Sequence, residues 1–248
     1  MNMKHLKYFN REECSYCRSK NISETIPDKF KTFSKGNVGV WKTSFLRCNE
    51  CDSFFNKRVP TKESMIKIYK NQYHKQDKGL KRFKSNYGEV LFKNNVLEVG
   101  GGTSGVKDNC ENNVKYINIE ISNTCETVSN LSLTTSDVES LTPEDIEKLK
   151  SCNIDNIVCC DVIEHLLYPY KVFLLASKVL NKGGMLYVTF GEYISLDDYN
   201  SSDHISVQSL HINIVTIKTI LMLCEKFNFN ILSDEMLKDH CFIFKKAI

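Results

Sequence analysis

The 248-residue chain is 42% hydrophobic, with eleven cysteines, 33 Lys+Arg against 30 Asp+Glu and a formal net charge of +3. That length buries a real core, as one domain of ordinary size with an appendage or as two small domains. The amino terminus MNMKHLKYFNREEC has no apolar signal segment and no later stretch approaches the ~20 apolar residues of a membrane span, while an odd cysteine count that includes the apolar stretches around Cys159, Cys160 and Cys241 argues against a disulfide framework and for a reducing, cytoplasmic setting.

Residues 1–95 hold 21 Lys+Arg against 9 Asp+Glu, and residues 96–248 hold 12 against 21. A basic first part suits nucleic acid, a phosphorylated substrate or the acidic second part of the same molecule, or it is a solvated Lys-rich surface. Within residues 1–60, Cys14-Ser-Tyr-Cys17 and Cys48-Asn-Glu-Cys51 form two CxxC pairs. Four thiolates at this spacing suit a tetrahedral structural zinc ion, with no open position and hence no catalytic role. A redox CxxC needs no second copy, and a disulfide is the weaker reading in a reducing setting. Arg18 and Asp52 stand where rubredoxin-like turns commonly carry Gly. Between the pairs VGVWKTSFLRC is β-prone, with Gly36, Asn37 and Gly39 as turn residues. From Thr61 the pattern turns helical: TKESMIKIYKNQY opens on a Thr-x-x-Ser cap and places Met65, Ile68 and Tyr69 on one face. A second helical piece from Leu80 to Lys93 completes a basic connector over residues 61–95.

From Val96 short apolar strands alternate with helical stretches, the pattern of a parallel α/β sheet. Strands are expected at NVLEVG, KYINIE, DNIVCCD and GMLYVTF, and helices at LTPEDIEKLKS and at YKVFLLASKVLNKGG, the latter closed by Gly183 and Gly184. LHINIVTIKTILMLCEKFNF reads as a helix feeding a closing antiparallel hairpin of FNFNILSDEML and HCFIFKKA. VLEVGGGTSGV is a strand that breaks into glycines, which let a ligand approach the backbone, and Glu120 closes the next strand where a dinucleotide fold holds a ribose. Glu98, Glu120, Asp137 and Asp161 around one ligand would repel a pyrophosphate and welcome a cation. S-adenosylmethionine, a sulfonium with an ammonium group, is such a cation. Glu98 or Glu120 could instead be an ordinary cap or ion-pair partner.

VLEVGGGTSG, YINIEIS, SDVESL, IVCCDVIEHL and VLNKGGMLYVTF together resemble, in order and spacing, the motifs of class I S-adenosylmethionine-dependent methyltransferases over residues 96–248. FLRCNECDSFFNKRVPTKESMIKIYKNQYH resembles the zinc-ribbon leader of a bacterial methyltransferase group associated with sugar and surface-polysaccharide biosynthesis. The resemblance implies a Rossmann-like sheet and a set of cofactor residues. It places Glu98, Gly100, Gly101 and Gly102 around the methionine portion, Glu120 with Ile121 at the ribose, Asp137 and Val138 beside the adenine, and Asp161 at the strand end facing the cofactor. The third glycine of the family's loop would fall at Ser104, with Gly105 one place late.

Methyl transfer to a hydroxyl needs an aligned nucleophile and a base, so His165 and His204 are candidate catalytic residues, with Glu164 beside His165. Each has a plainer reading: His165 and Glu164 as shapers of the turn, His204 as a cap. Asp161, Glu164 and His165 also resemble the acidic-x-x-Glu-His pattern by which quinone O-methyltransferases bind a divalent cation; the trio could hold Mg²⁺ or a similar ion, although Asp161 is equally needed on the cofactor side. The resulting expectation is a methyltransferase acting on oxygen of a small, phosphate-bearing sugar such as a nucleotide-linked sugar. Its rivals are an RNA methyltransferase gripping nucleic acid through the cysteine module, and a non-catalytic binding protein that keeps the fold.

Overall fold

The computed structural model describes residues 6–33, 44–72, 83, 87–88, 90–102, 106–121, 133, 137–208, 210–232 and 240–248. The first part supplies β1 (Tyr8–Asn10), β2 (Ile22–Glu24), β3 (Phe30–Phe33), β4 (Phe45–Cys48), β5 (Phe54–Asn56), β6 (Arg58–Pro60) and helix α1 (Lys62–Gln72). There follow β7 (Val96–Val99), β8 (Tyr116–Ile119), α2 (Pro143–Lys150), β9 (Ile154–Cys160), α3 (Tyr170–Val179) and β10 (Leu180–Thr189). The chain closes with α4 (Leu196–Ser201), β11 (Ile205–Gln208), β12 (Asn213–Ile214), α5 (Ile217–Phe227), β13 (Phe229–Ile231) and β14 (Cys241–Lys246).

The central sheet has the order β13-β14-β10-β9-β7-β8. Strands β7 to β10 pair in parallel, and β14 runs antiparallel both to β10 and to β13. In this Rossmann-like sheet β7, β8, β9 and β14 match the expected strands to about a residue, whereas β10 starts four residues before GMLYVTF. Of FNFNILSDEML the strand is Phe229–Ile231, pairing with β14 as the closing hairpin, while 233–237 lie outside the described residues. Its middle is apolar on both faces, with Leu97, Ile117, Ile157, Leu186 and Phe242 buried on one and Val96, Val158 and Cys241 on the other, as a sheet covered on both sides requires. Val172, Phe173 and Ala176 of α3 and Ile220 and Leu223 of α5 pack into the same core. After β7 the chain goes to β8 on one side, and later to β9 on the other. A ligand crevice therefore opens at the carboxyl ends of β7 and β9.

Three expectations are corrected. The helix over YKVFLLASKVLNKGG ends at Val179, because Leu180 turns extended (ψ 138°) and enters β10 directly. Gly183 and Gly184 then lie within a register shift of that strand rather than capping a helix. The helix expected from Leu210 begins only at Ile217, where the Thr216 hydroxyl accepts the Thr219 N–H, and Asn213–Ile214 is strand β12 instead. Of the Leu80–Lys93 piece, Phe83 and Tyr87 are helical and Phe92 bridges Cys110 in extended form, the remainder being partly outside the described residues. Gly36, Asn37, Gly39, Ser104 and Gly105 also lie outside them.

The cysteine-bearing segment is knitted into the rest of the chain. β2, β4 and β5 share a four-stranded sheet with β12, and β3 pairs in parallel with β11. Arg11, only 7% exposed, donates to Asn213 Oδ1 at 2.8 Å, to the Ile212 carbonyl at 3.3 Å and to the Leu167 carbonyl at 2.9 Å. A buried guanidinium with three acceptors ties the leader to the turn after β9 and to β12. No described helix is long and apolar enough to cross a membrane.

Candidate functional site

Four sulfurs meet at one point. Cys14 Sγ lies 3.6 Å from Cys51 Sγ, and Cys17 Sγ 3.5 Å from Cys48 Sγ, with all four within 4.8 Å of one another. Zinc–sulfur bonds of about 2.3 Å give tetrahedral S···S edges of about 3.8 Å, so the donor set fits a zinc ion. Arg18 (φ +69°) and Asp52 (φ +61°) both adopt the left-handed conformation that Gly commonly supplies in such knuckles. Asp52 is held there by ion pairs with Arg47 at 2.8 Å and Lys218 at 3.3 Å, and Arg18 by Glu13 at 2.6 Å. The Thr219 hydroxyl donates to the Cys51 carbonyl at 2.8 Å, fastening the second knuckle to α5.

A cleft enclosing about 840 Å³, part of it open to solvent, lies at the carboxyl ends of β7, β8 and β9. Gly100, Gly102, Glu120, Ile121, Asp137, Val138, Asp161 and His165 all line it. The chain turns out of β7 at Gly100 with φ +74°, where a Cβ would fall 2.4 Å from Val162 Cγ2, so only glycine fits. Gly102 (φ +61°) has open space where a Cβ would stand, and its N–H donates to Glu120 Oε2 at 2.9 Å. Asp161 holds φ +51° at the end of β9, a conformation a non-glycine residue adopts at a cost. Three carboxylates around a glycine cradle are a donor set for a ligand carrying positive charge and hydroxyls, and S-adenosylmethionine fits it.

Two predicted cofactor residues lie behind this wall. The Gly101 N–H donates to Asn118 Oδ1 at 3.2 Å. Glu98, 5% exposed, accepts the Val106 N–H at 2.9 Å and the Tyr116 hydroxyl. Both residues brace the loop. Burial drives the Glu98 carboxyl up to about 7, against hydrogen bonds from Tyr116 and Val106 that lower it. Its native value thus exceeds its unfolded one, so its contribution to stability is complete below about pH 4.5 and lost as pH rises through about 7. Glu98→Gln, which keeps an acceptor oxygen and removes the charge, is therefore expected to stabilise the ligand-free protein by about 3 kcal/mol at pH 8 and by little at pH 4.5. Denaturant unfolding at the two pH values checks this, and an equal effect at both contradicts it.

The sequence under-read helix α1. Its Lys62 spans the cleft to Asp137 Oδ2 at 2.8 Å, and Met65, Ile66 and Tyr69 line the same wall. The amphipathic Met65/Ile68/Tyr69 face was the available signal. Glu139 was also missed: its carboxylate accepts the Leu167 N–H at 3.3 Å and the Tyr168 N–H, while burial raises its pKa. His165, 8% exposed, stacks edge-on with Tyr69 and with His211, ring centroids 5.6 and 4.7 Å away. Glu164 lies just beneath, 2% exposed, its carboxyl pushed up to about 7 chiefly by burial. His204 is exposed at the start of β11 and is not among the cleft-lining residues. The histidine that the fold brings to His165 is His211, which sequence spacing could not place.

A family model described as a methyltransferase domain matches residues 61–234, more than half of the chain. No curated protein sequence matches it. Similar solved structures include a SAM-dependent methyltransferase from Archaeoglobus fulgidus, at 16% identity over 72% of this chain and 98% of that one, with a TM-score of 0.43. Another is a S-adenosylmethionine-dependent methyltransferase from Clostridium acetobutylicum, at 12% identity over 75% and 99%, with a TM-score of 0.44. The N-terminal domain of EvdMO1, solved in the presence of SAH and D-fucose, is 14% identical over 70% and 84%, with a TM-score of 0.45. At these scores the structural likenesses carry no argument, and the family rests on the matched segment.

Proposed function

This chain belongs to the methyltransferase-domain family, and from that premise we propose that it transfers a methyl group from S-adenosylmethionine to an oxygen of a small, phosphate-bearing sugar. The observation that carries the cofactor half is the convergence of Glu120, Asp137 and Asp161 on the glycine cradle of one cleft. The acceptor half draws on the basic first part of the chain, whose α1 forms one wall of that cleft, and on His165 at the same wall. Surface-polysaccharide precursors, which are nucleotide-linked sugars, are the acceptor class that suits this charge. The same reading puts a structural zinc ion on Cys14, Cys17, Cys48 and Cys51 and the enzyme in the reducing cytoplasm, in keeping with ten described cysteines outside any disulfide.

Bound in the cleft, S-adenosylmethionine supplies an electrophilic methyl carbon on a sulfonium. Glu120 accepts hydroxyl hydrogens of the ribose while its Oε2 keeps the Gly102 N–H in place. Asp137 and Val138 flank the base, and Asp161 offers its carboxylate to the positive end of the ligand. The acceptor oxygen must lie in line with the breaking carbon–sulfur bond and lose its proton as the new carbon–oxygen bond forms. His165 is the side chain at the wall able to act on that oxygen.

Glu120→Ala tests the cofactor half. It removes one charged acceptor of two hydrogen bonds, worth about 1.5–3 kcal/mol each, so S-adenosylmethionine affinity measured by calorimetry should fall by at least about 100-fold with helix and strand content unchanged. Undiminished affinity would sink the assignment of the cleft.

A further inference from the structure

Three side chains meet behind the cofactor cleft: Glu164 and His165 on the turn after β9, and His211 between β11 and β12, with one ligand-capable atom of each within 4.8 Å of the others. Their protons can be placed by chemistry. The Leu210 carbonyl only accepts, so His165 Nδ1, 3.0 Å away, donates to it. Glu192 imposes the same tautomer on His211 through an Nδ1···Oε1 distance of 2.7 Å. In each neutral ring Nε2 then carries the lone pair, and both Nε2 atoms stand 3.9 Å from Glu164 Oε1. Three Lewis bases thus converge. Glu164 is 2% exposed, and no described side chain donates a hydrogen bond to either of its oxygens; its burial outweighs what the backbone at Glu164 and Gly191 offers. A carboxylate so poorly compensated at that depth is costly. A proton on either Nε2 would attract the carboxylate across 3.9 Å, but that separation is too long for a hydrogen bond, whereas an ion between the three atoms would bond to all of them.

We propose that Glu164, His165 and His211 bind a divalent transition-metal ion of the zinc or iron(II) type, through one carboxylate oxygen and two Nε2 atoms. Two imidazoles and a carboxylate are a borderline-soft set that leaves coordination positions open. Mg²⁺ prefers oxygen donors, and Asp161 is not in the cluster among the described residues. The magnesium site expected on Asp161, Glu164 and His165 is thus redrawn with His211 in place of Asp161. Metal–ligand bonds of about 2.1 Å give tetrahedral edges of about 3.4 Å, so the rings need to close by only about 0.5 Å. The Leu210 carbonyl and the Glu192 carboxylate supply the outer hydrogen bonds that orient metal-binding imidazoles. Since His165 also lines the cleft, the ion would sit at its wall, and His165 would then act on the acceptor through the ion rather than as the base itself: a hydroxyl in an open position would be acidified and pass its proton to solvent. That last step rests on the methyltransferase reading; the metal site does not.

The test is a metal count on the full-length protein equilibrated with Zn²⁺ alone. Wild type should hold two ions per chain, and Glu164→Gln and His211→Gln one each. A single ion in wild type, or a second ion kept by both variants, overturns the proposal. Should a variant fail to fold, Co²⁺-loaded wild type decides: weak bands from a nitrogen/oxygen site beside the strong thiolate bands support the site, and thiolate bands alone refute it. Two ions without methyl transfer would sink the methyltransferase reading and leave the site standing. One ion with full methyl transfer would do the reverse.

Discussion

Cys48→Ser is expected to lose the zinc ion and to unfold the protein at growth temperature or lower its Tm by at least about 10 °C. Zinc bound to such knuckles is worth about 10–16 kcal/mol in small peptides, comparable to the whole net stability of a domain. Each kcal/mol lost from a chain of this size lowers Tm by about 2–4 °C. The damage would not stay local. β4, which ends at Cys48, pairs with β2 and β5, and β5 pairs with β12. Beside β12, the Ile212 N–H and the Asn213 side chain donate to the Glu164 carbonyl at 2.9 and 3.2 Å. Release of the knuckles therefore loosens the turn that carries His165. Metal analysis and thermal unfolding of wild type and variant check this; a metal-free variant with wild-type Tm contradicts it.

His165→Ala should keep S-adenosylmethionine affinity within a few-fold and lower turnover by about 10²–10⁴. The two readouts separate because the carboxylates of the cofactor wall are placed by the ends of β8 and β9 and by the Asp137 turn, and the imidazole by the turn after β9. Tyr69, His211 and the Leu210 carbonyl fix the ring from three sides, so its deletion removes a positioned group rather than a mobile one. Calorimetry and single-turnover rates make the comparison. Normal turnover would reduce the Glu164-His165 turn to scaffold.

Much of this site is legible along the chain because its parts are local. Glu120 and Asp161 close short apolar runs, Glu98 sits one residue before the end of another, and Gly100 is demanded by a turn that packs on Val162. Non-local pairing was opaque. β3 and β11 lie far apart in sequence, and nothing in FKTF or ISVQ announces that they are neighbours. The same blindness chose His204 over His211, since the path of the chain after α4 decides which imidazole returns to His165. Apolar periodicity misled at both of the later helices. Leu180 continues the helical pattern of α3 yet is the first residue of β10, and Asn213 and Ile214 join a strand because β5 offers them an edge.

The central claim is methyl transfer through this cleft to a phosphate-bearing sugar. Incubating the protein with methyl-labelled S-adenosylmethionine and, separately, nucleotide-linked sugars, glycans and RNA tests it most directly. Label is expected on oxygen of a nucleotide-linked sugar, abolished in His165→Ala and absent from RNA. Label on RNA, or no label on any acceptor together with no binding of S-adenosylmethionine, would contradict the account.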